Sequence, residues 1–257
     1  MSLISELTSL LKDRGAQLVG VGDLSSIQLN PGSEAAVPAG GDGRNTALLT
    51  EAFKTMKTGV SVALPVPASI VEDLKTAPTL EYYHAYNAMN KQLNEIVLAG
   101  ERFLQEQGYH AHAQTTDRVT GTADNITPLP HKTVAARAGL GWIGKSCLLV
   151  TPQYGSAVRL SSIITDAPLP CSRPVLESRC GTCRRCVDFC PAGALKGTLW
   201  KAGMPRPELF DWKLCYPVQV ERMRKYAGIS VDLCGRCFAV CPFTQKYLAR
   251  NQRTGRE

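Results

Sequence analysis

Between residues 180 and 242 the chain carries two cysteine runs whose spacing leaves few folds open. Cys180, Cys183, Cys186 and Cys190 are spaced C-x2-C-x2-C-x3-C, and Pro191 follows. Cys234, Cys237 and Cys241 form a shorter run that again ends in Cys-Pro, at Pro242, with Cys215 available to complete it. This is the bacterial ferredoxin arrangement, in which the fourth Cys of one run ligates the other cluster. A cubane offers four iron corners. Three Cys two residues apart wrap three corners with one loop, and the fourth corner is reached from elsewhere in the chain. Proline ends each loop because it lacks an N–H and fixes its own φ. The spacing predicts two 4Fe–4S clusters, the first on Cys180, Cys183, Cys186 and Cys241, the second on Cys190, Cys215, Cys234 and Cys237. A pair of zinc sites is the alternative that C-x2-C alone leaves open.

Ten Cys in a secreted chain would suggest disulfides. Here eight of the ten fall into metal spacing, which fits a reduced compartment. Cys147, in the apolar stretch 147–150, reads as a buried small hydrophobe, and Cys171 as a loop thiol or spare ligand. The 257 residues are 44% hydrophobic, enough to bury a core. Leu3, Ile4, Leu7, Leu10 and Leu11 alternate with polar residues, so the N-terminus does not read as a signal peptide. The most apolar run, 60–71, holds two prolines and is too short to span a bilayer. A cytoplasmic protein without membrane contact is expected. The formal charge is +7. Two ligated clusters at about −2 each would leave roughly +3, weak grounds for nucleic-acid binding. The basic tail over 246–256 reads as a solvated terminus.

Periodicity predicts a helix over 3–14, a strand over 17–21, a Gly/Pro-rich loop over 30–45, a helix near 46–56 and a strand over 60–64 stopped by Pro65 and Pro67. The strongest helix, about 80–107, shows an apolar stripe of Met89, Leu93, Ile96, Val97, Phe103 and Leu104, with Gly108 at its end. A strand over 109–114 and an irregular, polar segment over 115–130 follow. A short helix over 131–138 leads into Gly139, Gly141 and Gly144, then strands over 147–151 and 158–165. The glycines do not make a dinucleotide fingerprint, which needs a strand before them and a helix after. They read either as a tight turn or as a place where backbone approaches a planar cofactor. Pro and Ser cluster over 168–174, and the domain boundary is placed there: 1–170 and 171–257.

The stretch 131–146, HKTVAARAGLGWIGKS, resembles the signature of the epoxyqueuosine reductase family, and so do Gly155-Ser156, Thr165-Asp166, both cysteine runs and Cys215. Tyr82-Tyr83-His84 and the long helix resemble the family's N-terminal region. The resemblance extends to the catalytic domain of reductive dehalogenases. It implies an α+β fold, a nitroreductase-like α/β domain followed by a bacterial-ferredoxin-like double-cluster module. It also implies cobalamin, with FMN as the alternative, near Gly139, Gly141, Trp142, Gly144, Lys145 and Ser146. Electrons would come from a low-potential donor such as a ferredoxin or flavodoxin. They would pass singly through two 4Fe–4S clusters to the corrinoid and reduce a small substrate.

Three departures shape the remaining expectations. The family's acid ahead of the glycine segment is matched here by Asn125, which cannot donate a proton as a carboxylic acid can. His131-Lys132 stands where the family has an acidic and basic pair. The family's C-terminal helical repeats have no match after the second cluster. These make tRNA an unexpected substrate and point to the short branch of the family. His131 becomes the candidate proton donor, since an unperturbed His titrates at about 6.5; capping the helix is its bland role. Asp124 is a substitute acid one place from Asn125. Lys132 reads as a solvated cation, Tyr83 as core, and His84 as able to face a pocket. His110 and His112 make a poor metal pair. A pure electron-transfer protein, such as a reductive activator of a corrinoid protein, is the alternative reading.

Overall fold

The computed structural model describes residues 2–29, 44–119 and 126–254, the side chains of 44–48 and 254 apart. Asp124 and Asn125 lie outside the described residues. In chain order the elements are α1 (Leu3–Asp13), β1 (Leu18–Asp23), α2 (Arg44–Thr55), β2 (Thr58–Pro65), α3 (Ala68–Leu74), α4 (Leu80–Glu106), β3 (Ala111–Ala113) and α5 (His131–Arg137). There follow β4 (Trp142–Ile143), β5 (Leu149–Val150), β6 (Val158–Thr165), α6 (Arg185–Asp188), α7 (Trp212–Ala227), α8 (Arg236–Ala239) and α9 (Pro242–Thr254). The fold is α+β, as expected.

The chain divides into two compact units. The first comprises Met1–Leu64, Met89–Leu140 and Leu160–Val175; the second comprises Pro65–Ala88, Gly141–Arg159 and Leu176–Glu257. The first is built on a four-stranded sheet of order β1-β2-β6-β3, with β1 antiparallel to β2 and β3 antiparallel to β6. Residues 59–64 of β2 are buried throughout, as a central strand requires. The apolar stripe of α4 is buried at Met89, Leu93, Ile96, Val97 and Leu104. Leu24, Leu49, Phe53, Leu129, Val134 and Ile164 form a core cluster around α2, α5 and β6.

The second unit holds both cysteine runs. Its β4–β5 hairpin pairs Trp142 with Val150 and Ile143 with Leu149. Cys147 is buried, as expected, but it lies in the turn of this hairpin at φ 60°, not in a strand. Five helices are absent from the sequence expectation: the one-turn α6 and α8 beside the cysteine runs, and the longer α3, α7 and α9. α3 begins right after Pro67, whose extended backbone serves as its N-cap, so the residue read as a stop is a start. α7 carries Pro217 inside it, yet Asp211 caps its first amides and Gly228 closes it in the left-handed conformation. α9 replaces the expected solvated tail: Pro242 opens it, and Thr244, Tyr247 and Leu248 are buried. Among the described residues, no helix is long and apolar enough to cross a membrane.

Candidate iron–sulfur centres

Cys180, Cys183, Cys186 and Cys241 line one cavity of about 110 Å³, closed by Val150, Pro242 and Phe243 and by Lys145 and Ser146. Cys180 and Cys183 come from the loop that leads into α6, Cys186 from α6 itself, and Cys241 immediately precedes α9. What seats Cys241 is the junction of α9 with the turn at 151–155. Gly155 has φ 60°, and a Cβ there would collide with the backbone of Phe243 and Thr244. Only glycine combines that dihedral with that approach. Thr244, fully buried, accepts the Ser156 N–H at 3.0 Å, and Ser156 Oγ donates to Leu149 O at 2.8 Å. The ring of Phe243 meets Trp142 edge-on at 4.9 Å.

The glycine segment reaches the same place. Trp142 Nε1–H points at Cys180 Sγ, 3.5 Å away. Lys145, only 6% exposed, donates from Nζ to Gly181 O at 2.8 Å and Cys183 O at 3.0 Å. A Cβ on Gly144 would lie 2.8 Å from Val150 Cγ2 and 3.4 Å from Cys180 Sγ, and one on Gly141 would collide with Val150 O. Gly139 faces Arg173 O, 2.9 Å from where its Cβ would stand. The described contacts of all six residues expected at an organic cofactor are therefore with protein, four of them at the first cysteine loop.

The remaining four Cys also gather. Cys190 and Cys234 lie close enough to Cys215 to act on its charge, and Cys234, Cys215 and Cys190 on that of Cys237. Burial, then the neighbouring thiols, pushes Cys186 and Cys215 up to about 12. Cys241 is raised by burial too, against N–H groups of Thr244 and Phe243 that favour its thiolate. Protein alone thus favours the thiol at Cys186, Cys215 and Cys241. Only bound cations can hold the thiolates, and loading them releases protons.

Among the described residues, no three His, Cys, Asp or Glu stand close enough to share one metal ion. Four thiolates on a single zinc, each at 2.3 Å, would lie about 3.8 Å apart. A cubane core spreads its thiolates wider than that, so the cavity with four Cys on its wall fits a cluster better than an ion. Cys171 belongs to the first unit, where its Sγ contacts Leu169 O at 3.6 Å.

His131 opens α5, and its Nδ1 lies 2.8 Å from Ser162 Oγ. Gln114 Nε2 donates to the same oxygen at 2.7 Å. Ser162 can then give its own proton to Nδ1, which leaves the ring proton on Nε2. In the irregular segment Arg118 pairs with Glu101 at 2.7 Å, and Glu101 also accepts the Ala113 N–H. His110 is tied to Asp166 at 2.7 Å, away from His112 on β3. Tyr82, not Tyr83, is the buried tyrosine at the start of α4, while His84 is exposed.

Residues 179–244 match the 4Fe-4S double cluster binding domain family. Epoxyqueuosine reductase of Bacillus subtilis is 46% identical over 119 residues, 46% of this chain and 30% of that protein. The one from Synechococcus is 28% identical over 209 residues, 77% of this chain and 59% of that protein. Among solved structures, an epoxyqueuosine reductase with an epoxyqueuosine-modified tRNA-Tyr stem loop aligns at TM-score 0.58 and 22% identity, covering 95% of this chain and 65% of that one. A reductive dehalogenase described through B12-dependent dehalogenation aligns at 0.67 and 17%, covering 96% and 33%. The chain is thus similar to epoxyqueuosine reductases and shares its fold with reductive dehalogenases, and the double-cluster module is borne out. It spans about a third of the length of the first curated relatives it matches.

Proposed function

We propose that this protein is an iron–sulfur reductase with two 4Fe–4S clusters, the first on Cys180, Cys183, Cys186 and Cys241 and the second on Cys190, Cys215, Cys234 and Cys237. The observation that carries this reading is the cavity walled by four Cys from two distant stretches of chain. When bound, the clusters supply single-electron transfer. The chain's own residues do the rest at the first site: Lys145 ties down the cysteine loop, Trp142 offers an N–H to sulfur, and Val150 and Phe243 exclude water. Residues 1–170 are proposed to serve the acceptor and substrate, and 171–257 the clusters.

Cobalamin is the acceptor favoured by the fold shared with a B12-dependent dehalogenase, with FMN the alternative. Epoxyqueuosine in tRNA is the substrate that the relatives' names favour. A small substrate is the second reading, supported by Asn125 in place of the family's acid. His131, with Ser162 behind it, is the proposed proton donor in either case. The test is anaerobic, dithionite-driven turnover with added cobalamin, on epoxyqueuosine-bearing tRNA stem loop and on the free epoxyqueuosine nucleoside. Conversion of the stem loop alone supports the tRNA reading, and conversion of the nucleoside as well supports the second. Conversion of neither, by protein shown to hold both clusters, removes epoxyqueuosine from the account.

A further inference from the structure

Charge is distributed unevenly along this chain. Residues 176–257 hold 15 Lys and Arg against seven Asp and Glu, while 1–175 hold 14 against 15. Exposed large hydrophobics are uneven too. Six of the seven among the described residues lie in that same stretch: Leu176, Phe189, Leu199, Leu214, Tyr216 and Tyr226. Three of them adjoin ligands proposed for the second cluster. Phe189, 45% exposed, precedes Cys190; Leu214 and Tyr216, 50% and 47% exposed, flank Cys215.

Cations sit directly on this apolar surface. Arg185 and Arg236 lie 5.7 and 5.8 Å from the Phe189 ring. Arg206 lies over Phe210 and Trp212, and Trp212 packs on Tyr216 at 5.2 Å. Aromatic rings and arginine are what protein–protein interfaces concentrate at their centres. A ring of cations around them steers an oppositely charged partner. Nothing about the second cluster's ligation requires leucine and tyrosine to face water beside it.

We propose that the face around Phe189, Leu214 and Tyr216 docks an acidic one-electron carrier protein, so that electrons enter by the second cluster. This rests on the two-cluster reading above. In the transfer the carrier loses one electron and the cluster gains one, from the 2+ to the 1+ core; no bond forms or breaks, and no proton moves.

The test uses full-length protein holding both clusters and an acidic 2Fe–2S ferredoxin as the probe, with dithionite as the small reductant, followed by anaerobic stopped flow. The double variant R185E/R206E is expected to lower the ferredoxin rate constant at least tenfold, with iron content unchanged and the dithionite rate within twofold. The wild-type ferredoxin rate should also fall steeply with added salt. Should the double variant load less iron, Leu214→Ser decides by the same comparison. An unchanged ferredoxin rate overturns the proposal. So does a variant that loses affinity for a tRNA stem loop while keeping the ferredoxin rate, since the face then serves a nucleic acid. Protein that holds no clusters fails the two-cluster reading, whereas clusters reduced equally well in every variant fail the docking face alone.

Discussion

Replacing Lys145 by Met keeps the length of the side chain and removes its donors and charge. Lys145 is nearly buried and makes two bonds to carbonyl oxygens of the first cysteine loop, at 2.8 and 3.0 Å. Hydrogen bonds involving a charged group contribute about 1.5–3 kcal/mol each. Gly181 is exposed and Cys183 half-buried, so water recovers part of that loss. A net cost of about 2–3 kcal/mol to the closed loop follows. At about 1.4 kcal/mol per tenfold, the first cluster should be lost to an iron chelator about 30- to 150-fold faster. The assay is anaerobic release of iron to a coloured chelator, with Lys201→Met, an exposed lysine, as the control. Half of the iron should leave in the fast phase and half at the wild-type rate. Loss of all iron at the wild-type rate would refute the reasoning, because Lys145 would then not be holding the loop.

Gly155→Ala places a β-carbon against the backbone that seats Cys241 at a φ that costs about 1–2 kcal/mol for an L-residue, so iron per chain should fall toward half, read by elemental analysis. Cys215→Ser should remove the second cluster and spare the first, whereas Cys147→Ser should leave iron content unchanged. Burial and then Arg118 hold the half-buried His112 below its ordinary value, near 6.5. The neutral ring therefore contributes stability above about 6.5 that is lost as pH falls through the lower folded value. The melting temperature of the wild type should drop more than that of His112→Gln between about pH 7 and pH 5; parallel curves would assign the acid sensitivity elsewhere.

What could be read from the sequence was what depends on neighbours in the chain. Three Cys two residues apart face one loop whatever surrounds them, and the stripe from Met89 to Leu104 needs only the helical period. What could not be read depends on contacts across the chain. Lys145 looked like part of a glycine turn because its partners lie 36 and 38 residues away. Tyr247 looked like part of a solvated tail, yet it is buried and its hydroxyl donates to Val66 O, 181 residues upstream. Pro67 was misleading for a different reason. Proline forbids a hydrogen bond without forbidding the helix that starts beside it, and α3 exploits that. The exposure of Leu214 and Tyr216 on α7 had no sequence signal, since the helix itself was not foreseen.

The proposed function depends on eight cysteines holding two cubanes. Iron and acid-labile sulfide per chain, measured on protein purified without oxygen, test it most directly. About eight of each are expected, the content of two 4Fe–4S clusters. Zinc in place of iron, or about four irons with Cys190, Cys215, Cys234 and Cys237 all open to a thiol reagent, would contradict it.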